Sequence, residues 1–550
     1  MAAALAADRL GLWPVFFFAV SFMTPLTVVA TGPAIGYGQI GETSIPVAYG
    51  AMAGVMAVFA VGFVAMARRI PNAGAFYAYI AQGLGRPAGV GAAMVALVAY
   101  NGIQVALYGA FGVGVQGVLG GFGVSVHWGV WAVTGWVVVA WLGALRVDIS
   151  ARILGVLVLG EIGIILLLDA VMVANPAGGV VTVDTLDPSA LATAGGAAIL
   201  VGVVAGFVGI EAPAVYSEEA RDPQRTVGRA VYLSVALAGV LYAGSAWAMS
   251  VAAGPERIVA VAGELGTELF FALPAPHVPG VVIAVAGVLF VTSLFAAMLA
   301  AHSIVARYVF ALGRERVLPG VLARTNRAGA PVGGSVVQTL VAGLVLVGCL
   351  WWGVDPISGL LFVASVVAGL GVLLLLTATS LTILVYFARH PGHGADRESR
   401  WRRIVAPGIA LVVLGVVSLA TVVFFGDLLG VSDPVLAAAG PVGYLLLALA
   451  GVGWGEWLRR HRPEVYRGIG LGPHATDRPP AATTAAVPAA APGAPPTGPL
   501  SGPAGGPPGA PGGQGPGRHA RVRGPLPENT ERAGGTRGPG SGASGGWGAR

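Results

Sequence analysis

The chain has 550 residues, of which 56% are hydrophobic and only 10% are charged, and its mean hydropathy is +0.80. Soluble globular proteins carry about 25% charged residues, so this composition excludes an ordinary soluble protein and indicates a polytopic membrane protein. The net charge of +6 comes from 31 basic and 25 acidic residues, and all 31 basic residues are arginine. Without lysine there is no Walker A loop and no Schiff-base lysine, and a single cysteine, Cys349, excludes an intrachain disulfide.

Apolar runs alternate with short charged loops over most of the chain. A bilayer core requires about 20 apolar residues per helix. By this measure the sequence predicts an all-α membrane protein with twelve transmembrane helices, numbered here as spans 1 to 12. With about 20 apolar residues required per helix, the predicted spans lie at about residues 12–33, 45–66, 88–112, 126–145, 151–173, 192–216, 229–252, 279–310, 332–352, 357–387, 404–425 and 434–457.

Residues 461–550 differ in composition from the membrane domain at residues 1–460. They are rich in Pro, Gly, Ala and Arg and poor in large apolar side chains. Such a segment cannot bury enough apolar surface to offset the entropy lost on ordering. We therefore expect a disordered, cytoplasmic Pro/Gly/Arg-rich tail.

The arginine positions predict the orientation of the chain. If the N-terminus is inside, 30 of the 31 arginines fall on the cytoplasmic side and only Arg257 falls outside. Basic residues in short loops favour the cytoplasm. The sequence thus predicts a multi-pass protein of the cell membrane whose N- and C-termini are both cytoplasmic.

Two carboxylates stand out inside the predicted spans, Glu161 in span 5 and Glu211 in span 6. Ionisable groups at membrane depth are costly and commonly functional. For Glu161, a proton-accepting carboxylate and a protonated acid bonded to a neighbouring helix are equally open. The position of Glu211 favours a functional role, whereas His302 in span 8 is more typical of a satisfied core residue.

Spans 1 and 6 carry helix-weakening residues at corresponding positions. Span 1 contains Pro25 within residues 21–27, and span 6 contains two glycines and a proline within residues 206–213. Each of these spans begins a block of five helices. Proline and glycine are common in membrane helices, so one break means little. Paired breaks, however, indicate a midplane binding site of the kind found in inverted-repeat transporters.

Three segments carry a resemblance to a known family. Span 6 reads Phe207-x-Gly209-x-Glu211 and leads into residues 218–230, EEARDPQRTVGRA. Residues 67–79 after span 2 read ARRIPNAGAFYAY, and span 8 closes with Arg307-Tyr308 and residues 314–319, RERVLP. With the predicted spans, these motifs resemble the amino acid–polyamine–organocation (APC) permeases over about residues 10–458. Within that superfamily the chain resembles an actinobacterial-type amino acid permease.

The resemblance implies a five-plus-five inverted-repeat transporter fold, with helices 1 and 6 broken around the substrate. It also implies which residues bind substrate; by position these are Ser21, Thr24, Pro25, Leu26, Gly206, Phe207, Val208 and Gly209. Phe207 takes the place of an aromatic gate, and a core aromatic is the alternative. Tyr100, Asn101 and Ser293 either line the pocket or bridge helices, with equal weight.

We therefore predict a secondary active transporter, not an enzyme, that moves an amino acid by alternating access, with proton coupling or exchange. Where many relatives have G-x-G-I-F, this chain has Met23-Thr24-Pro25-Leu26, similar to a subgroup with putrescine-importer-like members. A polyamine or organic amine importer is therefore the alternative, and a channel is less favoured. Some relatives use a lysine in helix 5 as a proton switch. Lacking lysine, this chain directs proton coupling to Glu161 or Glu211.

The expected partners are a small-molecule substrate, a coupling ion that we take to be H⁺, and the lipid bilayer. No nucleic acid, cofactor or bound metal is expected. A membrane-embedded enzyme would require a catalytic cluster at membrane depth, and the sequence offers none.

Overall fold

In a computed structural model of the protein, the described residues are 4–145, 147–192, 199–200, 202–391 and 398–475. They are mainly helical, and the only β-type pairing in these ranges is an isolated bridge between Leu10 and Ala220. The prediction of an all-α protein is confirmed.

The long helices follow the predicted spans closely. Span 1 consists of two helices, Leu12–Met23 and Pro25–Ile35, followed by a π-helical turn at Gly36–Ile40. Spans 2, 3, 5, 7, 8 and 9 are Ile45–Ala67, Arg86–Gly120, Val147–Ala174, Pro223–Ala253, Gly280–Arg314 and Val332–Trp351. Spans 10, 11 and 12 are Ala364–Arg389, Ala406–Val423 and Pro434–His461, and π-helical turns at Pro356–Val363 and Trp401–Val405 precede the first two.

Shorter helices occupy the connections and two of the predicted spans. Span 4 is Trp128–Gly143, and the described part of span 6 contains Val204–Phe207 and Ala212–Val215. The other short α-helices are Phe76–Gly83, Ile258–Leu265, Leu269–Ala272, Phe425–Leu429 and Pro463–Gly468. Short 3-10 turns lie at Ala177–Gly179, Asp184–Leu186, Pro188–Ala192, Gly266–Glu268, Ala275–His277, Gly320–Ala323 and Gly472–Ala475.

The number of crossings differs between sequence and structure. Within the described residues, 11 helices are long and apolar enough to span a membrane. Span 4 falls below this length with 16 residues, and span 6 is interrupted, with residues 193–198 and 201 outside the described part. Ile258–His277, by contrast, is long and apolar enough to be counted, although it lies between predicted spans 7 and 8. The predicted count of twelve is therefore not confirmed.

The surface of the bundle is apolar, as hydrocarbon solvent requires. Leu344 in span 9, Val412 in span 11 and Leu445 in span 12 have 77%, 65% and 59% of their surface exposed. Such exposure would be unfavourable in water, but lipid tails are as apolar as these side chains. The described helices thus have the outer surface of a multi-pass membrane protein.

The broken span 1 lies at the centre of the bundle. Its first helix packs against spans 5, 7 and 8, while span 3 packs against spans 4, 8, 10 and 12. The most apolar stretches of spans 1 and 3 are 67% buried, compared with 11% in span 12. This arrangement places the breaks of span 1 and span 6 inside the protein and away from lipid.

The start of the predicted tail packs on the bundle. After span 12 the chain forms the helix Pro463–Gly468, and Ile469 is buried. Residues 476–550, to which most of the predicted disorder belongs, lie outside the described residues, as does Arg146. The domain boundary at residue 461 stays a prediction.

Candidate substrate-binding site

Span 1 breaks at Thr24. The first helix ends at Met23, Thr24 adopts a left-handed conformation with φ 48° and ψ 62°, and the second helix begins at Pro25. Proline has no N–H to continue the first helix and disfavours helical geometry in the residue before it. The Met23 carbonyl oxygen accepts a hydrogen bond from the Tyr242 hydroxyl at 3.2 Å. The break therefore exposes backbone groups in the protein interior.

Span 6 breaks at Val208 and Gly209. A 3-10 turn ends at Phe207, Val208 is extended, and Gly209 has φ +114°, a conformation that side chains rarely tolerate. Helical structure resumes at Ala212. The glycine in the F-x-G-x-E motif is thus required by the backbone at the break.

The two breaks are in direct contact. A Cβ added to Gly209 would lie 2.9 Å from Met23 Cγ and 3.0 Å from Phe22 Cδ1, and a Cβ on Gly206 would lie 3.0 Å from Val28 Cγ1. Only glycine permits the backbone of span 6 to approach these side chains of span 1 so closely. The predicted inverted-repeat fold with broken helices 1 and 6 is confirmed, and its breaks adjoin each other at the core.

Glu211 is bound on both of its oxygens within the break of span 6. Its Oε1 accepts a hydrogen bond from the Tyr100 hydroxyl at 2.7 Å, and its Oε2 accepts one from the Gly209 N–H at 3.0 Å. Only 1% of Glu211 is exposed. The carboxylate therefore links the break to span 3 and uses the N–H donor that the break has freed.

Glu161 occupies a similar position beside the break of span 1. Its Oε2 accepts a hydrogen bond from Ser293 Oγ at 2.8 Å, and the residue is fully buried. The carboxylate also faces the backbone N–H of Leu26, in the first turn of the helix that follows the break. N–H groups in a first helical turn lack helical partners and attract negative charge. Each break thus has one buried carboxylate next to its backbone donors.

Three other residues that the sequence predicts for the site, Phe207, Ser21 and Asn101, differ in their surroundings. Phe207 is fully buried and its ring centroid lies 5.7 Å from that of Tyr242, close to both breaks. Ser21 Oγ is buried without a hydrogen-bond partner, as expected of a group that a polar ligand satisfies. Asn101 instead donates to the carbonyl of Leu97 in its own helix. The substrate contacts assigned to these residues stay predictions.

Sequence reasoning missed one intramembrane carboxylate, and the structure adds one buried amide to the polar groups near the breaks. Asp169 lies within the predicted bounds of span 5, and its Oδ2 accepts a hydrogen bond from Ser245 Oγ in span 7 at 2.7 Å. Both side-chain polar atoms of Gln104, one turn after Tyr100, are buried without a partner. His302 bonds to Ser335 Oγ at 2.9 Å, in agreement with a satisfied core residue.

The three motifs of the sequence meet at one end of the bundle. Arg307 of span 8 forms a two-bond ion pair with Glu219, with Nε–Oε2 at 2.5 Å and Nη2–Oε1 at 3.0 Å, and its guanidinium lies 4.5 Å from the centre of the Tyr216 ring. Arg314 forms a second pair with Glu218 at 2.6 and 2.7 Å, and Glu218 also accepts from the Ala73 N–H. We call these four charged residues the closing network.

Glu315 joins the start of the tail to the same end of the bundle. Its carboxylate accepts hydrogen bonds from the N–H groups of Gly470 at 2.6 Å and Gly472 at 2.8 Å, from Asn72 Nδ2 at 3.0 Å and from the Tyr77 hydroxyl. Burial raises the pKa of Glu315, and these hydrogen bonds act in the opposite direction. Nothing in the sequence indicates that residues after span 12 reach this site.

The family model described as "Amino acid permease" matches residues 10–447, which include both breaks and the closing network. The chain belongs to this family. It is therefore a membrane transporter and not an enzyme. None of the curated proteins matches the amino acid permease chain in sequence.

Solved structures with the same fold include a manganese transporter of Eremococcus coleocola in complex with an aromatic bis-isothiourea substituted compound. It is 14% identical over 81% of this chain and 93% of that chain, with a TM-score of 0.52. A mutant of the same transporter is 13% identical over the same shares, also with a TM-score of 0.52. At such low identity the likeness establishes the fold of this permease and nothing about its cargo.

Proposed function

We propose that this permease is a secondary active transporter that moves an amino acid across the cell membrane by alternating access, with proton symport as its coupling. Both termini are cytoplasmic in this proposal, which places the closing network on the cytoplasmic side. The substrate occupies the junction of the two breaks, between residues 21–26 of span 1 and residues 206–209 of span 6.

The observation that carries the proposal is the position of the two buried carboxylates. Glu161 faces the N–H of Leu26, and Glu211 accepts the N–H of Gly209 at 3.0 Å. These freed N–H groups are the donors that suit the carboxylate of an amino acid. Glu211 uses the Gly209 N–H in this structure, and Glu161 lies beside the Leu26 N–H.

Proton coupling follows from competition for these donors. A protonated Glu161 or Glu211 carries no charge and holds an N–H less strongly than a carboxylate does. Protonation therefore releases the donor to the substrate carboxylate, and substrate binding in turn favours the protonated state. Because each ligand favours the other, proton and amino acid travel together.

Alternating access is supported by the closing network. Cytoplasmic opening must separate Arg307 from Glu219 and Arg314 from Glu218, because these pairs join span 8 to the segment that follows span 6. Buried ion pairs of this kind have two discrete states, formed or broken. The network is therefore suited to a gate that closes behind the substrate.

A second candidate is an organic amine, favoured by the same carboxylates. Unprotonated Glu161 and Glu211 provide two negative charges at the junction of the breaks. Three aromatic rings lie together at the break of span 6: Tyr242 is 5.4 Å from Tyr49 and 5.7 Å from Phe207, centroid to centroid. Carboxylates and aromatic faces both attract ammonium groups. An amine would then compete with protons for these carboxylates.

Matched ligand pairs separate the two candidates. We would measure the thermal shift of the purified permease with ornithine against putrescine and with arginine against agmatine, since each pair differs by one carboxylate. A ligand that binds only the folded state raises the melting temperature by mass action. The amino acid proposal predicts shifts by ornithine or arginine that grow as the pH falls.

Two outcomes of the thermal-shift experiment would contradict amino acid symport. Shifts by putrescine or agmatine alone, growing as the pH rises, would favour the amine and overturn amino acid symport. A shift by manganese chloride, with none by any organic ligand across a full panel of amino acids and amines, would overturn both candidates.

A further inference from the structure

A second site of interest lies where spans 2, 10 and 11 meet at the predicted cytoplasmic surface. A Cβ on Gly62 of span 2 would lie 2.6 Å from Pro407 Cγ of span 11 and 3.3 Å from Ile383 Cγ2 of span 10, so the three helices are in close contact there. Arg403 lies one helical turn before Pro407, towards the end of the bundle. Only 9% of Arg403 is exposed.

Arg403 has no acceptor within the described residues. Its Nε is buried without a hydrogen-bond partner, and no carboxylate in these ranges forms an ion pair with its guanidinium. Burying a charge is unfavourable unless a partner compensates the lost hydration. A buried arginine whose Nε has no partner therefore points to an anion that binds at this position.

Other guanidinium groups surround the same junction. Arg68 and Arg402 both act electrostatically on the hydroxyl of Tyr232, so both lie near it. Arg68 follows span 2, and its Nε donates to the carbonyl of Gln224 in the first turn of span 7 at 3.1 Å. Tyr232 itself is 40% exposed. Two cationic side chains, Arg68 after span 2 and Arg402 before span 11, thus lie near one half-exposed tyrosine, and Arg403 follows Arg402 in the chain.

The described acids at this edge do not neutralise all of its arginines. Glu398 pairs with Arg402 at 3.1 Å, and Asp222 pairs with Arg225 at 3.6 Å. Neither is bonded to Arg403 or Arg68. The junction consequently retains an excess of positive charge in the described part of the chain.

We propose that Arg403, Arg68 and Arg402 bind the phosphate group of an anionic phospholipid in the cytoplasmic leaflet. Guanidinium groups match phosphate oxygens with paired N–H donors. The neighbours of Arg403 favour a lipid over a free ion, because Trp401, Ile404 and Val405 are 48%, 52% and 43% exposed and offer apolar surface to acyl chains. Basic pockets between helices at this level are suited to anionic headgroups. The proposal does not depend on which substrate the permease carries.

Native mass spectrometry of the purified permease tests this site with phosphatidylglycerol as the probe. Arg403→Gln is expected to weaken phosphatidylglycerol binding about tenfold, the effect of losing one charge-assisted contact. The charge-matched control is Arg324→Gln for this single variant and Arg324→Gln/Arg327→Gln for a double variant; both lie in the exposed connection between spans 8 and 9 and are expected to leave binding unchanged. In nanodiscs, phosphatidylglycerol should raise the melting temperature of the control protein more than that of Arg403→Gln.

A second variant keeps the test decisive if Arg403→Gln does not fold. Arg68→Gln/Arg402→Gln changes less buried side chains of the same site and is expected to weaken binding by a similar factor. Equal phosphatidylglycerol binding by this variant and the control would overturn the proposal. So would full stabilisation by inorganic phosphate in detergent with no further effect of phosphatidylglycerol, because the ligand would then be a free ion.

Discussion

Ser293 Oγ donates a hydrogen bond of 2.8 Å to Glu161 and thereby connects span 8 to span 5 beside the break in span 1. The same carboxylate faces the backbone N–H of Leu26. One titratable group therefore touches a neighbouring helix and a proposed substrate donor at the same time. Substitution of Glu161 is therefore the most direct test of the proposed coupling mechanism.

Glu161→Gln should uncouple transport from protons. Glutamine retains an oxygen that accepts from Ser293 but cannot gain or lose a proton at neutral pH. We expect uptake into proteoliposomes to lose its acceleration by an inward proton gradient, while exchange of labelled for unlabelled substrate persists. Glu264→Gln, in the exposed segment between spans 7 and 8, is the matched control and should behave as wild type. Gradient-driven uptake by Glu161→Gln would remove this residue from the coupling role.

Gly209→Ala should damage the substrate site without unfolding the bundle. The added methyl group would lie 2.9 Å from Met23 Cγ, and φ +114° is strained for alanine. The expected cost is about 1–3 kcal/mol, with loss of transport. Gly244→Ala in span 7 is the control, because a Cβ there meets no atom within 4 Å. Normal uptake by Gly209→Ala would show that the contact between the breaks is not needed.

Arg307→Gln should be strongly destabilising because it leaves Glu219 buried and unpaired. Only 4% of the Arg307 side chain and 0% of the Glu219 side chain are exposed. Removing one partner of such a pair costs about 3–5 kcal/mol. Arg459→Gln, which breaks the exposed pair with Glu456, should cost less than about 1 kcal/mol.

Chemical denaturation in detergent measures both effects. The double variant Arg307→Gln/Glu219→Gln should recover part of the lost stability, because it no longer buries an unpaired charge. Equal costs for Arg307→Gln and Arg459→Gln would contradict the ion pair in the closing network.

Glu315 should make the stability of the permease depend on pH. Burial raises its pKa in the folded state, so the folded protein binds more protons than the unfolded chain between the two pKa values. Stability from this group is present at low pH and is lost as the pH rises through the folded pKa. Relative to Glu315→Gln, which does not titrate, wild type should lose melting temperature as the pH rises from about 4.5. A melting-temperature difference between wild type and Glu315→Gln that stays constant across this pH range would contradict the prediction.

The sequence predicted the elements of the site better than their contacts. The breaks at Pro25 and Gly209 were predictable because proline lacks a donor and glycine tolerates positive φ, both local properties. The closing network was not, because Glu219 and Arg307 are 88 residues apart and their pairing depends on how spans 6 and 8 pack. The docking of Gly470 on Glu315 was missed for the same reason, since composition alone assigns that region to the tail.

The proposed carrier binds its substrate at two adjoining helix breaks. Its most direct test is counterflow in proteoliposomes, in which unlabelled substrate loaded inside drives uptake of labelled substrate from outside. We predict uptake that saturates with substrate concentration and is accelerated by internal substrate. Flux that rises linearly with concentration and is indifferent to internal substrate would indicate a channel and contradict the account.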